Sequence, residues 1–306
     1  MTGFSKDLTR ALSRVAMASL VSLSLFAVGC SDDNPTTEPA DEFAPPTNLT
    51  YVNDSNSVLL AWTATPDASI DEFAGYHVYR DIVSMANLTD AQLVAKKITA
   101  TPIQTTSRSD GSAVNGTKYF YAVRAVKDNG DISESTNEIN TAPRAGETGI
   151  VVAERTVPSL PSGLGLSEGQ AFALQSEGVP DNRPFIDVYL GTNAANDAGS
   201  GQLTLKSPHL VDGASNTWSR VAGLKILDSF DAPTTTDSGW QEEVSLGVGN
   251  AVVGKVIAIK TPIEGSNYHY AKVRVTGFNG AAGGERTITV ETAYQSIPDF
   301  IRFTRR

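Results

Sequence analysis

One cysteine and three histidines in 306 residues leave little material for covalent or metal staples. A lone thiol cannot build an intrachain disulfide framework or a Cys-rich zinc or iron-sulfur site. His77, His209 and His269 show neither the HxH nor the HxxxH spacing that brings two imidazoles to one metal. The Asp181-Asn182 turn and Asp197-Ala198-Gly199-Ser200 lack the spacing of a calcium loop. No cofactor is expected. Basic residues are also short, 24 Lys and Arg against 34 Asp and Glu, for a net charge of -10. Affinity for nucleic acid comes mainly from neutralising phosphates, so a nucleic-acid partner is excluded. No apolar run reaches the roughly 20 residues of a membrane span. At 40% apolar and 19% charged, the composition is that of a globular chain rather than a disordered one.

The N-terminus carries the most specific pattern. Lys6, Arg10 and Arg14 precede the uncharged run Val15–Val28, which is too short to span a bilayer and has the flanks of a secretory signal peptide. The run ends at Ala27-Val28-Gly29-Cys30, with the only cysteine of the chain. This resembles the bacterial lipobox, although Ala27 stands where that family most often has Leu. The resemblance implies cleavage between Gly29 and Cys30, a diacylglyceryl thioether on Cys30 and an acylated amine. Each buried CH₂ contributes about 0.8 kcal/mol and stable attachment takes more than one chain, so such an anchor holds. Ser31 after the cysteine implies the outer membrane, with the protein in the cell envelope facing the surface or the periplasm. Residues 1–29 read as signal peptide and 30–43 as an acidic, Pro/Thr-rich tether.

From Thr47 onward, short β-branched and aromatic runs alternate with turn signals. Thr47–Val52, Val58–Trp62, Phe73–Arg80 and Tyr119–Val126 read as strands, the last running into the tight turn Asp128-Asn129-Gly130-Asp131. In Phe73–Arg80, period two places Tyr76, Val78 and Arg80 on one face and His77 and Tyr79 on the other. Strands at this spacing without helices argue for an antiparallel sandwich. Pro45-Pro46, Asn48-Leu49, Trp62, Gly75–Arg80 and Tyr119–Val123 together resemble a fibronectin type III domain spanning 44–144. That resemblance implies core roles for Trp62 and Tyr76 and a tyrosine corner at Tyr119 or Tyr121, with Tyr119 preferred. The connection Asp81–Lys97 is longer than usual, and Met85–Lys96 reads as a helical turn within it.

Residues 145–306 read as a second β-domain, a sandwich or barrel. Its strand candidates are Phe185–Leu190, Val252–Lys260, Tyr268–Thr276 and Arg286–Ala293, the last two pairing across Asn279–Gly284. Val252–Lys260 and Tyr268–Thr276 weakly resemble the C-terminal strands of secreted β-proteins related to the HmuY haem-binding lipoproteins. The fold expected overall is all-β: a fibronectin type III-like sandwich followed by a second antiparallel sandwich or barrel.

For chemistry, the carboxylates Glu177, Asp181, Asp187, Glu242, Glu243 and Glu291 form no catalytic motif, and acids on a β-surface are usually solvated. No enzyme is expected, and a hydrolase requires two of these acids in one deep pocket. Trp218 and Trp240 lie in polar, Gly/Ser/Thr-rich surroundings, where an indole can stack on a sugar face while its N–H donates. Packing against the core is the alternative for both. The function expected is a non-enzymatic, membrane-anchored adhesion, scaffolding or binding module for a protein or polysaccharide partner. A carbohydrate-binding accessory lipoprotein of an uptake system is the alternative.

Overall fold

The computed structural model describes residues 43–157, 160–174, 181–197, 201–211, 218–232, 234, 238–263, 265–280 and 284–301. The expected signal peptide, Gly29, Cys30, the tether up to Glu42, Glu177, Ala198–Ser200 and the tip of the turn Asn279–Gly284 lie outside the described residues.

Seven elements build the first sandwich: β1 (Thr47–Asp54), β2 (Ser57–Thr63), β3 (Phe73–Asp81), α1 (Asp90–Leu93), β4 (Ser107–Asp110), β5 (Tyr119–Lys127) and β6 (Ile139–Thr141). They form two antiparallel sheets of order β1-β2-β4 and β3-β5-β6. This is a fibronectin type III-like arrangement. In β2, Val58, Leu60 and Trp62 are buried while Leu59 and Ala61 are exposed, as a half-buried strand requires. The inward residues of both sheets form one core, where Trp62 meets Tyr76 edge-on at 5.5 Å between ring centroids.

In β3 the alternation is overridden, and the residues from Gly75 to Tyr79 are all buried. Tyr76 and Val78 enter the main core, but Tyr79 packs outward with Met85, Leu93 and Ala122 in a second cluster. The cover is the long connection after β3. It makes one turn of helix, α1, whose entry is capped by the Gln92 side chain accepting from the Thr89 N–H at 2.9 Å, and then a 3₁₀ turn Val94–Lys96. The single apolar anchor of this turn, Leu93, is buried against the sheet.

The second sandwich contains β7 (Ile150–Ala153), β8 (Gly163–Gly165), β9 (Gln170–Phe172), β10 (Val188–Thr192), β11 (Leu203–Lys206), β12 (Gly223–Leu227), β13 (Glu243–Gly247), β14 (Val256–Pro262), β15 (Tyr268–Asn279) and β16 (Thr287–Gln295). Its sheets run β13-β11-β10-β8-β9 and β12-β14-β15-β16-β7. They enclose a core of aliphatic residues such as Leu190, Leu205, Ile257 and Val273. β15 and β16 pair from Tyr270↔Gln295 to Asn279↔Thr287.

Two strands start later than their sequence patterns indicate. Phe185 belongs to the 3₁₀ turn Arg183–Phe185, where Pro184 fixes φ for the turn, and β10 begins at Val188. Val252 closes another 3₁₀ turn and β14 begins at Val256, because Gly254 at φ 88° redirects the chain first. The chain from Glu42 to Arg306 is one compact unit. Ala145 bridges Tyr294 across the join, and the Arg144 guanidinium lies over the Phe230 ring at 5.4 Å.

Candidate functional site

Trp240 sits at the start of the chain segment that becomes β13. The backbone of Gln241 exchanges two hydrogen bonds with Leu224 of β12, at 2.7 and 2.9 Å, which fixes the segment against the sheet edge. The Trp240 ring is half-buried against Tyr270, 6.2 Å away between centroids. Lys260 Nζ lies 5.1 Å from the Trp240 centroid and 4.8 Å from that of Tyr268, so a cation from β14 is shared by two rings. Its stem passes over Gly223, where a Cβ would stand only 2.7 Å from Lys260 Cε.

Leu210, Trp240, Gln241, Glu242 and Glu243 line an open cleft of about 680 Å³. Each carboxylate has a basic neighbour. Glu242 Oε2 is 3.1 Å from His209 Nε2, and Glu243 Oε2 is 3.5 Å from Lys206 Nζ. Lys206 in turn pairs with the buried Asp197 at 2.9 Å. The Trp240 Nε1 is buried with no hydrogen-bond partner among the described residues.

Ser207, His209 and Glu242 stand in a row, with 2.8 Å between Ser207 Oγ and His209 Nδ1. The parts of a nucleophilic triad are present but the chemistry is not. Ser207 is 0% exposed and its Oγ accepts the Ala222 N–H at 2.8 Å, so no substrate carbonyl reaches it. The row is a brace that ties the end of β11 to the chain before β13 through Glu242 and, through Ser207, to the chain before β12.

The other candidates are placed apart. Trp218 offers no sugar platform. It is 6% exposed and packs with Ile186, Tyr189 and Val211, in a different cluster from Trp240, because the apolar area of an indole favours burial wherever neighbours can enclose it. A paired-tryptophan surface is therefore corrected to a single ring. Asp181 is exposed and forked to Arg183 at 2.7 Å, and Glu291 is bound to Arg274 at 2.7 Å. Asp187 is buried, accepting from Leu166 N–H at 2.8 Å and Arg220 at 2.6 Å, and burial pushes its carboxyl up to about 6. Among the described residues no group of three or more His, Cys, Asp or Glu is placed to hold a metal ion, and no helix is long and apolar enough to cross a membrane.

Three tyrosines end on polar partners inside the first sandwich. The hydroxyl of Tyr76 accepts from Thr65 N–H at 3.1 Å, and that of Tyr119 accepts from Val114 N–H at 3.3 Å, five positions upstream. Tyr121 donates to the buried Asp110 at 2.8 Å, which also binds Arg80 at 2.8 Å. His269 Nδ1 is 2.6 Å from the Tyr294 hydroxyl, and burial holds the imidazole below its usual range.

Leu210 and Gln241, which line this cleft, and Lys260, which reaches Trp240, carry no sequence signal for it.

No family model matches the chain, and no curated protein matches it either. Among solved structures, an Fn3-like protein from Clostridium thermocellum is 32% identical, with 33% of this chain covering 95% of that one at a TM-score of 0.26. Pectate lyase PelI from Erwinia chrysanthemi, in complex with tetragalacturonic acid, is 21% identical over 31% of this chain and 27% of its own, at 0.24. The chicken interferon gamma receptor alpha chain is 12% identical over 81% of this chain and 98% of its own, at 0.23. At such TM-scores these likenesses carry no argument about activity.

Proposed function

We propose that the chain is a bacterial lipoprotein anchored through Cys30 to the outer membrane, with domains at 44–144 and 145–306, acting as a non-enzymatic binding module for a polysaccharide. The observation that carries the polysaccharide reading is the half-buried Trp240 ring beside Gln241, Glu242 and Glu243 in one open cleft. An aromatic face and edge supply apolar contact to a sugar ring, while the amide and carboxylates accept its hydroxyl protons. Among the described residues the cleft is lined by two carboxylates and no base that could receive a uronic acid, so the ligand class is a neutral glycan. One exposed ring edge burying about 100 Å² contributes only about 2.5 kcal/mol before ordering costs. Binding is therefore weak per site and gains from many copies on a membrane facing a polymeric ligand.

The test is a titration of the full chain with neutral polysaccharides and with polygalacturonate, following tryptophan fluorescence. A saturable change with the neutral polymers that Trp240→Ala loses, while Trp218 still reports a folded core, is the expected result. Equal response to polygalacturonate, or a response that survives Trp240→Ala, removes the reading. Release of reducing ends during incubation removes its non-enzymatic part.

A further inference from the structure

The first sandwich has its own cleft, of about 490 Å³, on the side of β5 away from the main core. Its origin lies in two departures from a regular sandwich. The long connection after β3 folds over the sheet and supplies Met85, Leu88 and Leu93. On the other side, the chain between β5 and β6 stays against β5: Ser133 and Thr136 donate their N–H groups to the Ala125 and Val123 carbonyls at 2.9 Å, and their hydroxyls, in place of backbone carbonyls, accept the Ala125 and Val123 N–H groups at 3.0 Å. The cleft lies between Glu134, Ser135, Thr136 and Glu138 of this chain and the connection.

The floor is apolar and braced. Arg124 crosses beneath it, donating to Ser133 O and to Asp90. Glu138 receives Ser84 Oγ and Met85 N–H, both at 2.7 Å, and so ties the edge to the connection. The rim is acidic: Asp90, Glu134 and Glu138 line the cleft against a single base, Arg124. Glu134 is exposed and its carboxylate has no partner among the described residues. The same connection also carries Ile82, Val83 and Val94, which are 63%, 58% and 61% exposed. Exposed large apolar groups gathered on one segment, unlike single ones, mark interaction sites.

We infer that this cleft is a docking site for an extended protein segment that presents aliphatic side chains flanked by lysine or arginine. The cleft volume falls in the range of about 300–1,000 Å³ usual for ligand sites, and the aliphatic side chains fill its floor. The surplus of carboxylates selects the basic flank. The exposed Ile82, Val83 and Val94 on the same connection add apolar surface for a longer occupant than a small ligand, and the opposite wall leads into β6, the outermost strand of its sheet, along which an extended segment can lie. A second copy of this chain is disfavoured by its net charge of -10. The site is separate from the Trp240 cleft and does not depend on the polysaccharide reading.

The experiment uses the full chain and a fluorescein-labelled Lys-Leu-Thr-Leu-Lys peptide, read by anisotropy, with Glu-Leu-Thr-Leu-Glu and Lys-Ser-Thr-Ser-Lys as controls. The expected result is saturable binding of the first peptide, at least about tenfold tighter than either control, a selectivity worth about 1.4 kcal/mol. Glu134→Lys is expected to erase the preference for the basic peptide. Ser135→Trp, at an exposed lining position, is expected to block binding with the thermal midpoint unchanged, and Ala86→Trp provides a second block from the opposite wall. Equal binding of the acidic and basic peptides, no binding up to about 1 mM, or binding that survives both tryptophan variants overturns the assignment.

Discussion

Lys272 Nζ, projecting from the middle of β15, donates to the carbonyl oxygen of Ala232 at 2.6 Å and to that of Phe230 at 2.8 Å. A fully buried ammonium thus holds the segment that leads from β12 towards Trp240. Burial pulls this lysine down from 10.5 to about 8, helped by the nearby Arg144 and opposed by Asp231. With the folded value below the unfolded one, the unfolded chain holds more protons between pH 8 and 10.5, so this group makes stability rise with pH across that window. The slope approaches about 1.4 kcal/mol per pH unit at mid-window. Urea denaturation at pH 7.5, 8.5 and 9.5 checks it, and Lys272→Met is expected to flatten the profile. A wild-type profile already flat over that range refutes the assignment.

Arg286 and Glu154 form an ion pair 1% and 0% exposed, 2.6 Å apart, between the chain just before β16 and the residue after β7. Arg286 also donates to Gly201 O at 2.7 Å. Removing one partner strands a buried charge, so Glu154→Ala is expected to cost about 3–5 kcal/mol. The double change Glu154→Leu, Arg286→Met should recover most of that loss. Chemical denaturation of the two variants decides it.

Trp218 and Trp240 should separate in behaviour. Trp218→Ala opens a cavity in the cluster with Tyr189 and is expected to cost about 3–5 kcal/mol in stability. Its effect on glycan titration should be small while the protein stays folded. Trp240→Ala, at a half-buried position, should lose the titration signal at a lower stability cost. Paired thermal melts and titrations show whether the two residues divide in this way.

Cys30 is the test of the anchor. Metabolic labelling with an alkyne palmitate analogue is expected to mark the wild-type protein, and Cys30→Ser should lose both the label and its place in the membrane fraction. A labelled Cys30→Ser protein would end the lipoprotein reading.

How much was legible in advance varied with the range of the interaction. In β2, Val58, Leu60 and Trp62 declared their shared face because a strand's period is two and its other face meets water. The β15–β16 pairing was legible from two adjacent strands with a glycine-rich link. β3 was only half legible: Tyr76 and Val78 face the core as their alternation indicates, but no local rule shows that Met85 and Leu93 return to cover Tyr79. The polar context of Trp218 pointed outward, whereas its neighbours in space, Ile186 and Tyr189, lie more than two dozen positions upstream and enclose it.

What the sequence determined by itself was the net acidity, read from composition, and the all-β class and inward faces of the regular strands, written in short runs of consecutive residues. Only the tertiary structure decided which polar and aromatic groups meet. Lys260 reaches Trp240, His209 reaches Glu242, and the residues after β3 reach those after β5 through packing between distant segments. The energy of those contacts depends on distance in space, and separation along the chain carries no record of it.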